Sequence, residues 1–292
     1  MNMNRKGLLA GIAFAAPATI LFSVFVAYPF LQSIYYSFTQ WDSIRPPVYT
    51  GLENYKELFK DSKMIQAFNN TLKMTIFGIV VQNPLALLLA VLLNRKFRTK
   101  AFLRTVFYMP VVVSLVVTSV VWGNILQYDG LVNYLLTQLG LESAVMDWLG
   151  NINTVFPTII LLTQWQALGY CAVIYLAGLQ SIPQELYEAS TIDGASGFRQ
   201  FRYITFPLLM PVVTIVLFLT IVGGLKLFDL PYVMTNGGPG SASYTMTLAI
   251  YVAAFGNNTY GYATAAGIVL MIFIMIVTFL QLHFTRKQEV EA

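Results

Sequence analysis

Long apolar runs alternate with short polar segments along the whole chain. Runs near 8–30, 70–93, 102–123, 155–178, 208–228 and 262–282 are each long enough for a helix to cross a hydrocarbon core about 30 Å thick. The pattern predicts an all-α integral membrane protein with six transmembrane helices. Arg5 and Lys6 precede the first run and small residues lie inside it, as in a secretory signal. Its apolar stretch exceeds the roughly 7–15 residues of a signal core, so a true span is expected. The run 244–256 is too short to cross and is expected at the outer interface.

Two polar segments carry more pattern than a solvated hairpin needs. In "WDSIRPPVYTGLENYKELFKD" (41–61), Leu52, Tyr55, Leu58 and Phe59 recur at helical spacing, which predicts a small amphipathic cap. The second is "YEASTIDGASGFRQFRYITFPLL" (187–209). Ser181 and Gln184 fit an S-x-x-Q capping pattern and Pro183 suits a first turn, so a helix should begin near Ile182. Gly194 and Gly197 interrupt it, and Pro207 is expected to separate a second short helical piece from the next span. "YEASTI" and "FRQFRYITF" place apolar and aromatic residues where water should be, which predicts a docking face. Ala189 and Ser190 would keep that face flat, with Glu188 at its edge.

Composition agrees with the span pattern: 57% of the residues are hydrophobic and 10% charged, about half the charge of a soluble domain. Arg5, Lys6, Arg95, Lys96, Arg98, Lys100, Arg104, Arg199, Arg202, Arg286 and Lys287 fall on one side of a six-span arrangement. Retention of basic residues makes that side the cytoplasm and puts both termini there. The net charge of +4 follows from this bias and gives no reason to invoke nucleic acid. Cys171, the single cysteine, lies in an apolar span, where an inert buried thiol is expected. No fixed-period repeat or low-complexity tract divides the chain, so residues 1–292 read as one membrane domain with a cytoplasmic loop at 179–207.

Charge within a span costs about 2.5–3.5 kcal/mol on insertion scales. Lys226 and Asp229 lie three apart, which on a continuous helix puts them on one face. Either a snorkelling pair near the outer boundary or a pair facing a pathway fits. His283 has no Cys or carboxylate at ligand spacing, so no metal and no other cofactor is expected. The chain has no G-x-x-x-x-G-K-[ST] phosphate loop and cannot hydrolyse ATP by that route.

"EASTIDGASGFRQFRYITFP" resembles the EAA signature of permease subunits in binding-protein-dependent ABC importers. Glu188, Ala189, Asp193, Gly194, Ala195, Ile204 and Pro207 match it, while Ser190 and Phe206 replace the usual alanine and leucine. "AGLQSIPQELYEAS", "GLENYKELF", "TNGGPG" and "YGYATAAG" extend the resemblance to the maltose, multiple-sugar and glycerol-phosphate permease group.

The resemblance implies a type I importer permease core, a non-catalytic half-channel for a carbohydrate. Its expected partners are a second homologous permease, two copies of an ATP-binding subunit, an extracytoplasmic solute-binding protein and the surrounding lipid. Glu188, Ala189, Ser190, Asp193, Gly194, Ala195, Ile204 and Pro207 would couple to the ATPase. Thr163, Gln166, Ala167, Tyr170, Thr220, Gly224 and Leu227 would line the pathway. Trp165 and Tyr170 could stack on a pyranose face or simply pack between helices, and "TNGGPG" could contact the binding protein or only form a turn. An ion-coupled transporter is the rival from another class. It should show interrupted spans and a midplane carboxylate, for which Asp229 is the sole candidate.

Overall fold

The computed structural model describes residues 5–95 and 98–289. Lys96, counted above toward orientation, lies outside them. Five helices are long and apolar enough to cross a membrane, and a sixth crossing results if one sharply bent pair is taken as a single span. The chain divides into two compact units, one of residues Met1–Asp61 and Ile250–Leu270, the other of Ser62–Ala249 and Met271–Ala292.

In the first unit, α1 runs as Arg5–Phe22, a π turn Ser23–Ala27 and Tyr28–Ser37. A two-stranded antiparallel ribbon follows, β1 (Thr39–Gln40) and β2 (Val48–Tyr49), with Thr39 opposite Tyr49. The short helix α2 (Glu53–Leu58) is tied to the end of α1, because Asn54 Nδ2 donates to the carbonyls of Ser37 and Thr39, both at 2.9 Å. This corrects the amphipathic stripe expected there. Leu58 is buried, but Leu52 and Phe59 are exposed, and it is the polar Asn54 that faces inward. Trp41 stacks on Tyr36 with ring centres 4.1 Å apart, and Tyr262 donates to Asp61 Oδ2 at 2.9 Å.

The second unit is built on α3 (Ser62–Asn94), α4 (Lys100–Val112), α5 (Leu115–Ile125) and α7 (Val155–Ser181), with the short α6 (Leu131–Gln138) between the last two. Next come α8 (Gln184–Ile192) and α9, which runs Phe198–Gln200, a π turn Phe201–Thr205 and Phe206–Leu225. Then follow α10 (Asp229–Thr235), α11 (Met246–Tyr251, ending in the π turn Val252–Gly256), which belongs to the first unit from Ile250 onward, and α12 (Tyr260–Arg286), which returns to the second unit after Leu270.

Proline governs where these rods bend. The π turns Ser23–Ala27, Gly78–Gln82 and Phe201–Thr205 each end two residues before a proline, at Pro29, Pro84 and Pro207. A proline lacks its N–H donor and its ring crowds the carbonyl four residues back, and a widened turn before it absorbs the clash. Pro207 therefore does not separate two pieces as expected, and α9 passes through it. Pro110 acts differently: α4 ends at Val112, and α5 leaves from Ser114 at 96°. The third span expected over 102–123 is thus broken. The fifth, expected over 208–228, lies within one candidate span, Phe198–Thr235, whose helical winding is interrupted only between Leu225 and Asp229. Lys226 and Asp229 stand on opposite sides of that break rather than on one helix face.

Two buried apolar layers hold the second unit. One gathers Met74, Val155, Phe156, Ile159, Leu162, Leu227 and Leu230. The other gathers Ala86, Ala90, Leu93, Cys171, Ala172, Tyr175, Leu176, Leu209 and Val216. Along α3 and α7 the two layers lie at opposite ends, and past the end of α9, which carries Leu209 and Val216 of the second layer, Leu227 and Leu230 join the first.

Candidate functional site

Between those layers lies a cavity of about 460 Å³. Its wall takes Met74, Gly78 and Gln82 from α3, residues 111–115 from the α4–α5 break, 163–171 in part from α7, and Leu219, Thr220, Gly223, Gly224 and Leu227 from α9 and its end. All seven residues expected along a pathway, Thr163, Gln166, Ala167, Tyr170, Thr220, Gly224 and Leu227, border this one space. Among the described residues, no charged side chain lines it. Lys226 and Asp229 are not in its wall.

Small residues let the helices approach closely enough to close the cavity. A side-chain carbon on Gly224 would sit 2.7 Å from Thr75 Oγ1, and one on Gly169 would run into the backbone carbonyl of Phe107. Polar links then fix the register. Asn83 Nδ2 donates to Thr220 Oγ1 and to the Gly78 carbonyl, both at 2.9 Å, and accepts from Tyr175 Oη at 2.9 Å. This buried triad joins α3, α9 and α7 beside the cavity. Sequence reading missed it, although the polar pair Gln82–Asn83 within an apolar run was a visible signal.

Gln166 resolves the broken third span. A helix end leaves carbonyls without intrahelical donors, and Gln166 Nε2 donates to those of Pro110 (3.0 Å) and Val113 (2.9 Å). Its Oε1 remains buried and unpartnered, as does Oε1 of Gln164, which also lines the cavity. Thr163 Oγ1 donates back to the Ile159 carbonyl at 2.8 Å, which leaves its oxygen free to accept. Tyr170 is 41% exposed. Trp165 is not in the cavity wall and packs edge-to-face on Trp122 at 5.5 Å. Cys171 is buried and accepts from Gln82 Nε2 at 2.9 Å.

The 179–207 segment is a second constellation. α8 starts at Gln184 behind Pro183, two residues after Ile182, but the Ser181 hydroxyl donates to the Gly178 carbonyl and makes no cap. At its other end, Ala195 N–H donates to the Ser190 carbonyl (2.9 Å) and Gly194 N–H to that of Thr191 (3.1 Å). These are the two bonds of a Schellman stop, which needs a left-handed residue, and Gly194 has φ +76°.

Ala189, Glu188, Ile192, Asp193, Gly194 and Phe198 are exposed, Ile192 by 88%. Ser190 is turned inward and buried, so it is not part of that outer face. Gln200 Nε2 donates to Ser190 Oγ (3.0 Å) and Thr191 Oγ1 (3.1 Å), and the Tyr187 and Thr205 hydroxyls share a 2.9 Å bond. Thr205 is buried, while Ile204 and Pro207 are half-buried. Tyr187, Gln200 and Thr205 carried no motif signal in the sequence. Among the described residues, no three His, Cys, Asp or Glu side chains gather at metal-binding spacing.

Comparison with known proteins identifies the family. Residues 82–290 match the family described as binding-protein-dependent transport system inner membrane component. Over 282 residues the chain is 37% identical to the probable ABC transporter permease protein YurN of Bacillus subtilis (strain 168), covering 94% of this chain and 96% of that one. It is 36% identical to AmyD of Thermoanaerobacterium thermosulfurigenes, a probable starch degradation products transport system permease protein, over 95% of this chain and 94% of the other. Its fold is similar to a chain of a bacterial ABC transporter involved in import of the acidic polysaccharide alginate, with TM-score 0.84, 24% identity and coverage of 97% and 96%. The chain belongs to this inner membrane component family: it is a multi-pass permease subunit of a binding-protein-dependent ABC importer in the cell membrane.

Proposed function

We propose that this permease carries an uncharged sugar or oligosaccharide through the cavity between the two apolar layers. The observation that carries the reading is the cavity wall itself, which has no charge but holds two unpartnered amide oxygens, on Gln164 and Gln166. Buried acceptors left without donors are costly, and sugar hydroxyls supply donors. Tyr170 and the aliphatic wall suit the apolar face of a pyranose. Relatives named for carbohydrate transport, such as AmyD, support the same solute class.

In this reading the chain crosses six times, with the bent α4–α5 pair as the third crossing and both termini in the cytoplasm. A second homologous permease completes the pathway, an extracytoplasmic binding protein delivers solute, and two ATP-binding subunits dock on the 179–207 loops. Exposed Ala189, Ile192 and Phe198 offer the contact, Glu188 its polar edge, and Gly194 the turn that lets the loop act as a lever. Coupling requires that this contact differ between the inward-open and outward-open states.

Uptake by the complete complex in proteoliposomes, measured against a panel of labelled neutral saccharides and charged solutes, tests the solute class. Transport of only charged solutes would sink it. Gly194→Asp should stop ATP-driven uptake, and uptake at the normal rate would end the lever account. Loss of uptake on collapsing the proton gradient with ATP intact would favour the ion-coupled rival.

A further inference from the structure

Neither the transport cavity nor the coupling loop accounts for a second hollow in the same unit, of about 520 Å³. Its wall joins the later turns of α5 to the Leu149–Gly150 turn, the end of α10 and the TNGGPG segment, a motif that takes no part in the first cavity. Ligand sites are commonly hollows of about 300–1,000 Å³, largely apolar with a few polar groups that fix orientation. This one fits that description. Val120, Leu149 and Met234 give it apolar surface, and Asn124, Gln127 and Thr235 supply polar groups. Among the described residues, none that lines it is charged.

Two of these polar side chains are exposed and have bonding capacity to spare. Asn124 Nδ2 donates to the Val120 carbonyl at 2.8 Å, which leaves Oδ1 able to accept. The Gln127 amide makes no hydrogen bond to any described residue, so its donor and its acceptor are both open. A sugar hydroxyl donates and accepts, and neighbouring hydroxyls can meet both amides. Gly123 also lines the hollow, and a carbon added there meets no atom within 4 Å. The missing side chain leaves room for a ligand.

The two hollows follow one another along the same elements. On α5, Leu115 lines the first and Ser119 the second, one turn or about 6 Å further on. Opposite, Leu227 lines the first and Val233 the second. One apolar layer borders both, through Met74, Leu115 and Leu227 in the first and Leu149 and Met234 in the second. We propose that the second hollow is a saccharide subsite, a staging position next to the transport cavity where the Asn124 and Gln127 amides bind solute hydroxyls. It rests on the reading of the chain as a carrier of an uncharged sugar.

The test uses the complete complex in proteoliposomes, with the neutral saccharide that wild type takes up fastest as the probe. Gly123→Cys puts a thiol in the hollow. Its labelling by N-ethylmaleimide is located by peptide mass analysis, because Cys171 is also present. Saturating saccharide should slow that labelling about fivefold or more, on the order of one neutral hydrogen bond, and a charged solute of similar size should not. Gly123→Leu occupies the same open space and should lower uptake at subsaturating saccharide about tenfold, as both amides are blocked. Gln127→Ala removes one amide and should lower it about threefold.

Labelling that saturating saccharide leaves unchanged overturns the subsite, even if Gly123→Leu fails to assemble. Normal uptake by Gly123→Leu overturns it as well. If Gly223→Leu, in the wall of the first cavity, is impaired at the same time, the functional reading stands while the subsite falls. Slowing of the label by solute-free binding protein, with saccharide adding nothing, would mark the hollow as a protein-docking surface and reject the subsite. A wild type that takes up no neutral saccharide removes the functional reading, and the subsite with it.

Discussion

Around the cavity, polar side chains reach between helices far apart in sequence: Tyr175 to Asn83, Asn83 to Thr220, and Gln166 to the carbonyls at the α4–α5 break. In the 179–207 loop the bonds close over short distances, Gln200 to Ser190 and Thr191, and Ala195 to Ser190. Its apolar side chains, Ile192 and Phe198, point out instead of in. The difference separates two mechanical roles. A loop braced within itself can be pushed as one body, whereas a cavity braced by links between helices changes shape when those helices move.

The largest expected effect lies on the cavity side. Gly169→Ala sets a methyl group against the Phe107 carbonyl, and because backbone cannot rotate away as a side chain can, α4 must shift. Overpacking of this kind costs about 1–3 kcal/mol, expected as a clearly lower thermal midpoint of the purified complex and reduced uptake. Unchanged stability would mean that α4 and α7 are not held at this spacing. Gln166→Leu comes next: it fills similar volume but strands the Pro110 and Val113 carbonyls, at about 1–3 kcal/mol. Uptake should fall more than ATP hydrolysis does. An equal loss of both would assign Gln166 to general stability rather than to the pathway.

These two sites also show what a sequence could reveal. The loop was legible because its determinants are local: Gly194 is needed where a helix stops left-handed, and the surrounding residues carry a motif. The seven cavity residues were named through resemblance alone, and the structure gathers them around one space. The bend after Pro110 was missed, since an apolar run gives the same signal whether its helix is straight or bent, and so was the short interruption of winding after Leu225. Pro207 misled for the opposite reason, because the π turn at Phe201–Thr205 absorbs it and the rod continues. Ser190 resembled a face residue until the partner ten positions away, Gln200, turned it inward.

Within the loop the expected effects on stability are smaller and separate backbone from side chain. A side-chain carbon at Gly194 meets no atom within 4 Å, so substitution there is penalised only through its φ of +76°. Gly194→Val should cost about 1–2 kcal/mol locally, while Gly194→Asn should be milder, since Asn tolerates the left-handed region. Uptake that falls in the order Gly, Asn, Val would tie coupling to the turn itself. Equal loss for both would instead implicate contact by a bulky group.

Gln200→Ala is the mildest change and tests whether the loop is braced from within. It removes the donor to Ser190 and Thr191, and each such bond is worth about 0.5–1.5 kcal/mol. Both hydroxyls keep acceptors of their own, because each donates to the Tyr187 carbonyl at 2.8 Å. The stop at Gly194 rests on backbone bonds and survives. The expected result is therefore a loop that still docks but yields under load, with ATP hydrolysis near normal and solute moved per ATP reduced. Unaltered coupling would show that the Schellman stop and the docked partner suffice to keep the loop rigid, and that the inward-turned Ser190 is packing rather than part of the lever.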